Sequence, residues 1–156
     1  MSRAVLFVCL GNICRSPLAE AALRAEAARA GLEIEIDSAG TGDWHLGYPP
    51  DPRAAAVAAK YGIDISHLRA RQVSAADFAR FDHIVALDAK NLADLQAMQP
   101  ADSKAALSLL LDHVAGREGE AVADPYYGDE SGFEITWADV TAGARGLLAR
   151  IAEERS

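Results

Sequence analysis

Apolar and polar positions change period several times along this chain, and each change marks an element. Ala4-Val5-Leu6-Phe7-Val8 is a short continuous apolar run, the pattern of a strand buried on both faces. A polar loop follows it, and then a helix expected over about residues 17–30, with Ser16 as its cap, Pro17 in its first turn and Gly31 closing it. Leu32-Glu33-Ile34-Glu35-Ile36 alternates with a period of two and predicts a strand with one exposed face. Ser38-Ala39-Gly40-Thr41-Gly42 then reads as a loop. After the turn Tyr48-Pro49-Pro50-Asp51-Pro52, an Ala-rich helix is expected over about residues 53–61, ending at Gly62. Asp82-His83-Ile84-Val85-Ala86-Leu87 is a third strand, with a helix over about residues 90–98 behind it. Ala106-Leu107-Ser108-Leu109-Leu110-Leu111 is a fourth strand, although so apolar a run also fits a buried helical segment. Phe133, Trp137, Val140, Ala144, Leu147, Leu148 and Ile151 recur at helical spacing and predict a long final helix, with Trp137 in the core.

Strands alternating with helices imply an α/β fold with a doubly wound parallel sheet, in which ligands bind at the carboxyl ends of strands near the switch point. A length of 156 residues is that of one compact domain, 1–156. The net charge of -8 argues against nucleic acid as a partner, because a phosphate-backbone surface needs a basic stripe. No apolar run approaches a membrane span, and the apolar stretch after Arg3 is too short for a secretory signal, so a cytoplasmic protein that does not bind membranes is expected. The two cysteines, five positions apart, make no disulfide framework and point to thiol chemistry in a reducing compartment.

That chemistry belongs in the segment Cys9-Leu10-Gly11-Asn12-Ile13-Cys14-Arg15-Ser16-Pro17. A loop held between a strand end and a helix start can turn its amides inward as an anion nest, reinforced by the helix dipole. Cys9 would lie beneath the nest as a nucleophile, its thiolate favoured by the same dipoles. Arg15, on the first helical turn, can fork onto two oxygens of a bound anion. Transfer of a phosphoryl group to a thiolate also requires a proton donor for the departing oxygen. Two Asp-Pro pairs stand out, Asp51-Pro52 and Asp124-Pro125. Asp51 sits at a helix start beside Arg53 and suits a cap, whereas Asp124 precedes Tyr126 and Tyr127, whose rings could desolvate it and line an aromatic slot. The residues favour Asp124 and leave Asp51 open.

Together, Cys9 to Pro17, Ser38-Ala39-Gly40-Thr41, Asp51-Pro52-Arg53 and Asp124-Pro125-Tyr126-Tyr127 resemble the low-molecular-weight protein tyrosine phosphatases in order and spacing, over nearly the whole chain. The resemblance implies a three-layer, Rossmann-like sandwich on a four-stranded parallel sheet and a cofactor-free enzyme without a metal. It implies Cys9 as the nucleophile that becomes phosphocysteine, Arg15 as the phosphate and transition-state ligand, and Asp124 as general acid and then base. Leu10, Gly11, Asn12, Ile13, Cys14 and Ser16 would bind the phosphate, with Ser16 also hydrogen-bonded to the Cys9 sulfur and Asn12 in a left-handed conformation that shapes the loop. Ser38 and His67 would support Asn12 from behind, although His67 also reads as an ordinary, partly buried histidine.

Trp44, Tyr126 and Tyr127 would wall a slot deep enough for a phenyl phosphate and too deep for phosphoserine, although Trp44 could instead cover a core edge. Cys14 would pair with Cys9 on oxidation as a reversible block, or serve only as packing. The implied substrates are phosphotyrosine proteins and small aryl phosphates, with inorganic phosphate as product. Three rival readings remain. They are an arsenate reductase of the same fold, a phosphotyrosine-binding module without turnover and a Cys-x4-Cys zinc site. The first lacks its downstream cysteines here, since none follows Cys14.

Overall fold

The computed structural model describes residues 3–126 and 128–155. Its sheet comprises β1 (Arg3–Cys9), β2 (Ile34–Gly40), β3 (His83–Ala86) and β4 (Ala106–Leu109), all parallel, in the order β2-β1-β3-β4. Alternate side chains of β1 feed two different cores. Val5, Phe7 and Cys9 pack with α1 (Arg15–Ala30), α2 (Pro52–Lys60) and α5 (Glu130–Arg155) on one face. Ala4, Leu6 and Val8 pack on the other face, with the short α3 (Asp77–Arg80) and with α4 (Ala89–Met98). The expected three-layer, doubly wound architecture is therefore present. The strand order reverses at β1, so Cys9 lies at the carboxyl end of a central strand at the switch point.

Three expected boundaries move, each for a physical reason. Strand β2 starts later, because Leu32 belongs to the end of α1: Gly31 adopts φ 69° and the Leu32 amide returns to the Ala27 carbonyl at 3.0 Å. The same strand runs on through Ser38, Ala39 and Gly40, expected as loop, because β1 continues to Cys9 and pairs residue by residue up to Gly40. The fourth apolar run divides. Leu109 packs on the α4 face, whereas Leu110 and Leu111 form a 3-10 turn (Leu110–His113) that crosses to the α5 face. Glycine makes this approach possible, since a Cβ at position 146 would lie 1.8 Å from the His113 carbonyl oxygen.

His113 closes that turn, with Nε2 3.0 Å from the Ser108 hydroxyl. Burial, Arg150 and His83 hold its ring below the ordinary histidine pKa of 6.5, outweighing the opposite pull of Asp112 and Glu154. The unfolded chain therefore takes up this proton at a higher pH than the folded chain does. The associated stability is complete above about pH 6.5 and is lost as pH falls toward the lower folded value, before most carboxylates titrate. The melting temperature is expected to drop between about pH 7.5 and about pH 5.5, and His113→Gln is expected to flatten that drop. An unchanged slope in the variant would assign the effect to another group.

Candidate active site

The loop after β1 is shaped by its carbonyls. Those of Cys9, Leu10, Ile13 and Cys14 accept from the amides of Thr41 (2.9 Å), Gly42 (2.9 Å), Asp51 (2.8 Å) and Leu18 (3.2 Å). With the carbonyls committed outward, the amides of Leu10, Gly11, Asn12, Ile13 and Cys14 make no hydrogen bond among the described residues. Amides left free on the concave side of a tight loop, at the start of a 16-residue helix, form an anion cradle. Glycine again permits the close packing behind it, since a Cβ at Gly40 would lie 2.7 Å from the Leu10 carbonyl oxygen.

Asn12 is the one non-glycine residue at positive φ (57°) among those described, and its side chain explains how it stays there. Its Nδ2 donates to Ser16 Oγ (2.8 Å) and to Ser38 Oγ (3.0 Å), while its Oδ1 accepts from the Arg71 amide (3.0 Å). These bonds fix the direction of the rest of the row. Ser38 directs its proton to Glu20 Oε1 at 2.7 Å, and Glu20, almost fully buried, also accepts from Arg24 at 2.9 Å. Ser16 accepts from Asn12 and lies 3.0 Å from Cys9 Sγ and 3.5 Å from the Ala39 carbonyl, so the shorter contact lets its proton turn to the sulfur.

Two expectations about this row are corrected. Helix α1 begins at Arg15, with Cys14 at its cap position and no side-chain cap, so the Ser16 hydroxyl serves the sulfur rather than the helix end. His67 is exposed and does not reach Asn12. Residues 71–73 hydrogen-bond to Gly40 at the end of β2, which brings the Arg71 amide to Asn12 and leaves His67 in an exposed turn four residues earlier.

Arg15 is 3% exposed. Its Nη1 donates to Asp88 Oδ2 (2.8 Å) and to the Val122 carbonyl (3.0 Å), and Nη2 lies 3.7 Å from Asp124 Oδ2. Its Nε is buried with no partner among the described residues. A cation held along one edge with a donor left over is suited to an anion in the adjacent cradle. Asp88 does two jobs at the carboxyl end of β3, since its other oxygen accepts from the Asn91 amide (2.8 Å) and caps α4.

Cys9, Leu10, Gly11, Ile13, Cys14, Arg15, Trp44, His45, Asp124 and Tyr126 line one cleft of about 400 Å³, within the range of small-molecule sites. Asp124 has a side chain 39% exposed, and its Oδ1 accepts from the Tyr126 amide at 3.0 Å. Asp51 is not among the lining residues. It caps α2 by accepting from the Arg53 amide at 2.8 Å, which leaves Asp124 as the carboxylate over the cleft. Trp44 is 67% exposed with its ring over Gly42, where a Cβ would meet it at 1.9 Å, so it forms a rim and covers no core edge. Tyr127 lies outside the described residues. Burial, followed by the charges of Asp51, Cys9 and Asp124, pushes the Cys14 thiol far up, and it is held neutral.

Several members of this site escaped the sequence reading. Glu20 and Arg24 carry the i,i+4 spacing of a helical ion pair, and Asp88 is an acid at a strand's carboxyl end, so both left a signal. His45, which lies against Gly11 with its ring centroid 6.3 Å from that of Tyr126, left none.

The family model of the low molecular weight phosphotyrosine protein phosphatases matches residues 4–156. A phosphatase of that name from Schizosaccharomyces pombe is 45% identical over 151 residues, covering 95% of this chain and 96% of the other. The low molecular weight protein-tyrosine-phosphatase YfkJ of Bacillus subtilis is 44% identical over 154 residues, covering 97% of each. The crystal structure of YfkJ superposes with a TM-score of 0.92 at 42% identity, covering 100% of this chain and 98% of that one. With the cradle, Cys9 and Arg15 in one cleft, this chain belongs to the low molecular weight protein-tyrosine phosphatase family and is an enzyme of that class.

Proposed function

We propose that this chain hydrolyses phosphotyrosine in proteins, and small aryl phosphates, through a cysteinyl-phosphate. The observation that carries the reading is the convergence of Cys9, Arg15 and Asp124 on one cleft. The phosphate dianion enters the cradle under the free amides and Arg15. The Cys9 sulfur attacks phosphorus, forming an S–P bond as the aryl P–O bond breaks, and Asp124 gives its proton to the departing phenolate. Asp124, now a carboxylate, takes a proton from a water that attacks the phosphocysteine, which releases inorganic phosphate and restores the thiolate. No cofactor enters these steps. A thiol nucleophile belongs in a reducing compartment, and we place the enzyme in the cytoplasm. Among the described residues, no helix is long and apolar enough to cross a membrane.

Cys14 shares the cleft with Cys9, which supports a protective role on oxidation. A sulfenic acid formed at Cys9 would condense with the Cys14 thiol, releasing water and leaving a reducible disulfide.

The test compares turnover of phosphotyrosine, phosphoserine and arsenate by the purified protein. Phosphotyrosine is expected to exceed phosphoserine by about 100-fold or more in kcat/KM, because a short side chain cannot bring its phosphate past the rim of Trp44 and Tyr126. With a thiol reductant supplied as electron donor, faster reduction of arsenate than hydrolysis of phosphotyrosine would overturn the reading in favour of the reductase.

A further inference from the structure

Besides Arg15, which meets Val122 and Asp124, a second arginine ties the segment that carries Asp124 to the nucleophile loop. Arg53, in the first turn of α2, donates from Nε to Asp51 Oδ1 (3.1 Å) and from Nη2 to Asp51 Oδ2 (3.0 Å). The same guanidinium also donates from Nη2 to the Tyr126 carbonyl (2.9 Å) and from Nη1 to the Gly128 carbonyl (3.0 Å). Its Cζ lies over the Phe133 ring, 4.7 Å from the centroid. On the other side, the Asp51 amide donates to the Ile13 carbonyl at 2.8 Å, one of the bonds that turn the cradle amides inward.

We infer that Arg53 is a positioning residue for the general acid, clasping the Tyr126 and Gly128 carbonyls to the phosphate cradle through Asp51 so that Asp124 stands over the leaving oxygen. The inference rests on the assignment of Asp124 as the proton donor. Asp124 is partly exposed, and its Oδ1 accepts from the Tyr126 amide, so the carboxyl moves with the Tyr126 backbone that Arg53 grips. The rest of the clasp is built to stay fixed. Burial works against the charge on Asp51, but the hydrogen bonds from Arg53 outweigh it and keep Asp51 below the usual carboxylate range, an anion ready for the guanidinium. Lysine could not replace this arrangement, because four acceptor contacts from one rigid plane require the guanidinium fork.

The test uses Arg53→Met, which keeps an apolar stem and removes the fork, with Asp124→Ala as the reference. Both are measured as kcat/KM over aryl phosphates from p-nitrophenyl phosphate to phenyl phosphate. A basic phenolate needs its proton during bond breaking, whereas p-nitrophenolate hardly does. Arg53→Met is therefore expected to lose at least about tenfold on phenyl phosphate and less than about threefold on p-nitrophenyl phosphate, with the inhibition constant of inorganic phosphate unchanged within about twofold. In the Arg53→Met/Asp124→Ala double variant, loss of Arg53 is expected to add nothing to the loss of Asp124, because one acts through the other. Arg53→Lys, the milder replacement, is expected to show the same leaving-group dependence at smaller amplitude, and it carries the test if the methionine variant does not fold. A uniform loss across the series, weakened phosphate inhibition, or additive losses in the double variant would overturn the proposal. Absence of leaving-group dependence in Asp124→Ala itself would instead overturn the acid assignment, and the clasp proposal with it.

Discussion

Cys9→Ser is expected to abolish turnover while leaving phosphate binding intact. An alcohol at this position stays protonated where the thiol supplies a thiolate, and the barrier then lacks a nucleophile rather than a binding contact. Loss of about 10⁴-fold or more in kcat is expected, in line with removal of a nucleophile elsewhere. The binding apparatus does not depend on the sulfur. The outward carbonyl bonds to Thr41, Gly42 and Asp51 set the cradle, and Asn12 is held by Ser16, Ser38 and Arg71. Calorimetric titration of the variant with inorganic phosphate should give a dissociation constant within a few-fold of wild type. Undiminished turnover of p-nitrophenyl phosphate by Cys9→Ser would remove Cys9 from the reaction.

Arg15→Lys keeps the charge and is nevertheless expected to cost about 10³-fold in kcat/KM, the scale of an arginine that stabilises a transferring phosphoryl group. The reason is geometric. Arg15 spends Nη1 on Asp88 and the Val122 carbonyl, and it still has Nε free and Nη2 aimed toward Asp124. Lysine has three donors on one atom and cannot serve the buried anchors and the phosphate together. Its ammonium would stay with Asp88, which accepts at 2.8 Å in the wild type, and the cradle would lose its fork. A loss below about tenfold would show that charge alone suffices, and that the anchoring by Asp88 has no catalytic consequence.

How far these residues were legible in the sequence followed the distance over which each is specified. The strand, loop and helix that carry Cys9 and Arg15 are consecutive, so local pattern located them. The hydrogen bond of Ser16 to the Cys9 sulfur is present, whereas the cap role that local pattern also gives it falls away, because the helix starts two residues earlier than Ser-Pro suggests. Asp88 and Val122 meet Arg15 from 73 and 107 residues away, and only the parallel pairing of β1 with β3 brings their segments together. His67 was misplaced for a similar reason, since the pairing of Gly40 with Gln72 is a long-range bridge that spacing does not encode. Asp51 and Asp124 are alike in local chemistry and differ in position, since one caps α2 and the other lines the cleft, and that difference favours Asp124 as the acid.

The strand that ends in Cys9 has no exposed side chain from Val5 to Val8, and both cores close on it. The reacting sulfur thus rides on the part of the molecule least able to move or to accept substitution. The rim residue Trp44 stands mostly in solvent and belongs to neither core. Changes at the rim can retune which phosphoprotein is admitted without disturbing bond breaking below, so selectivity and chemical competence can evolve separately in this protein.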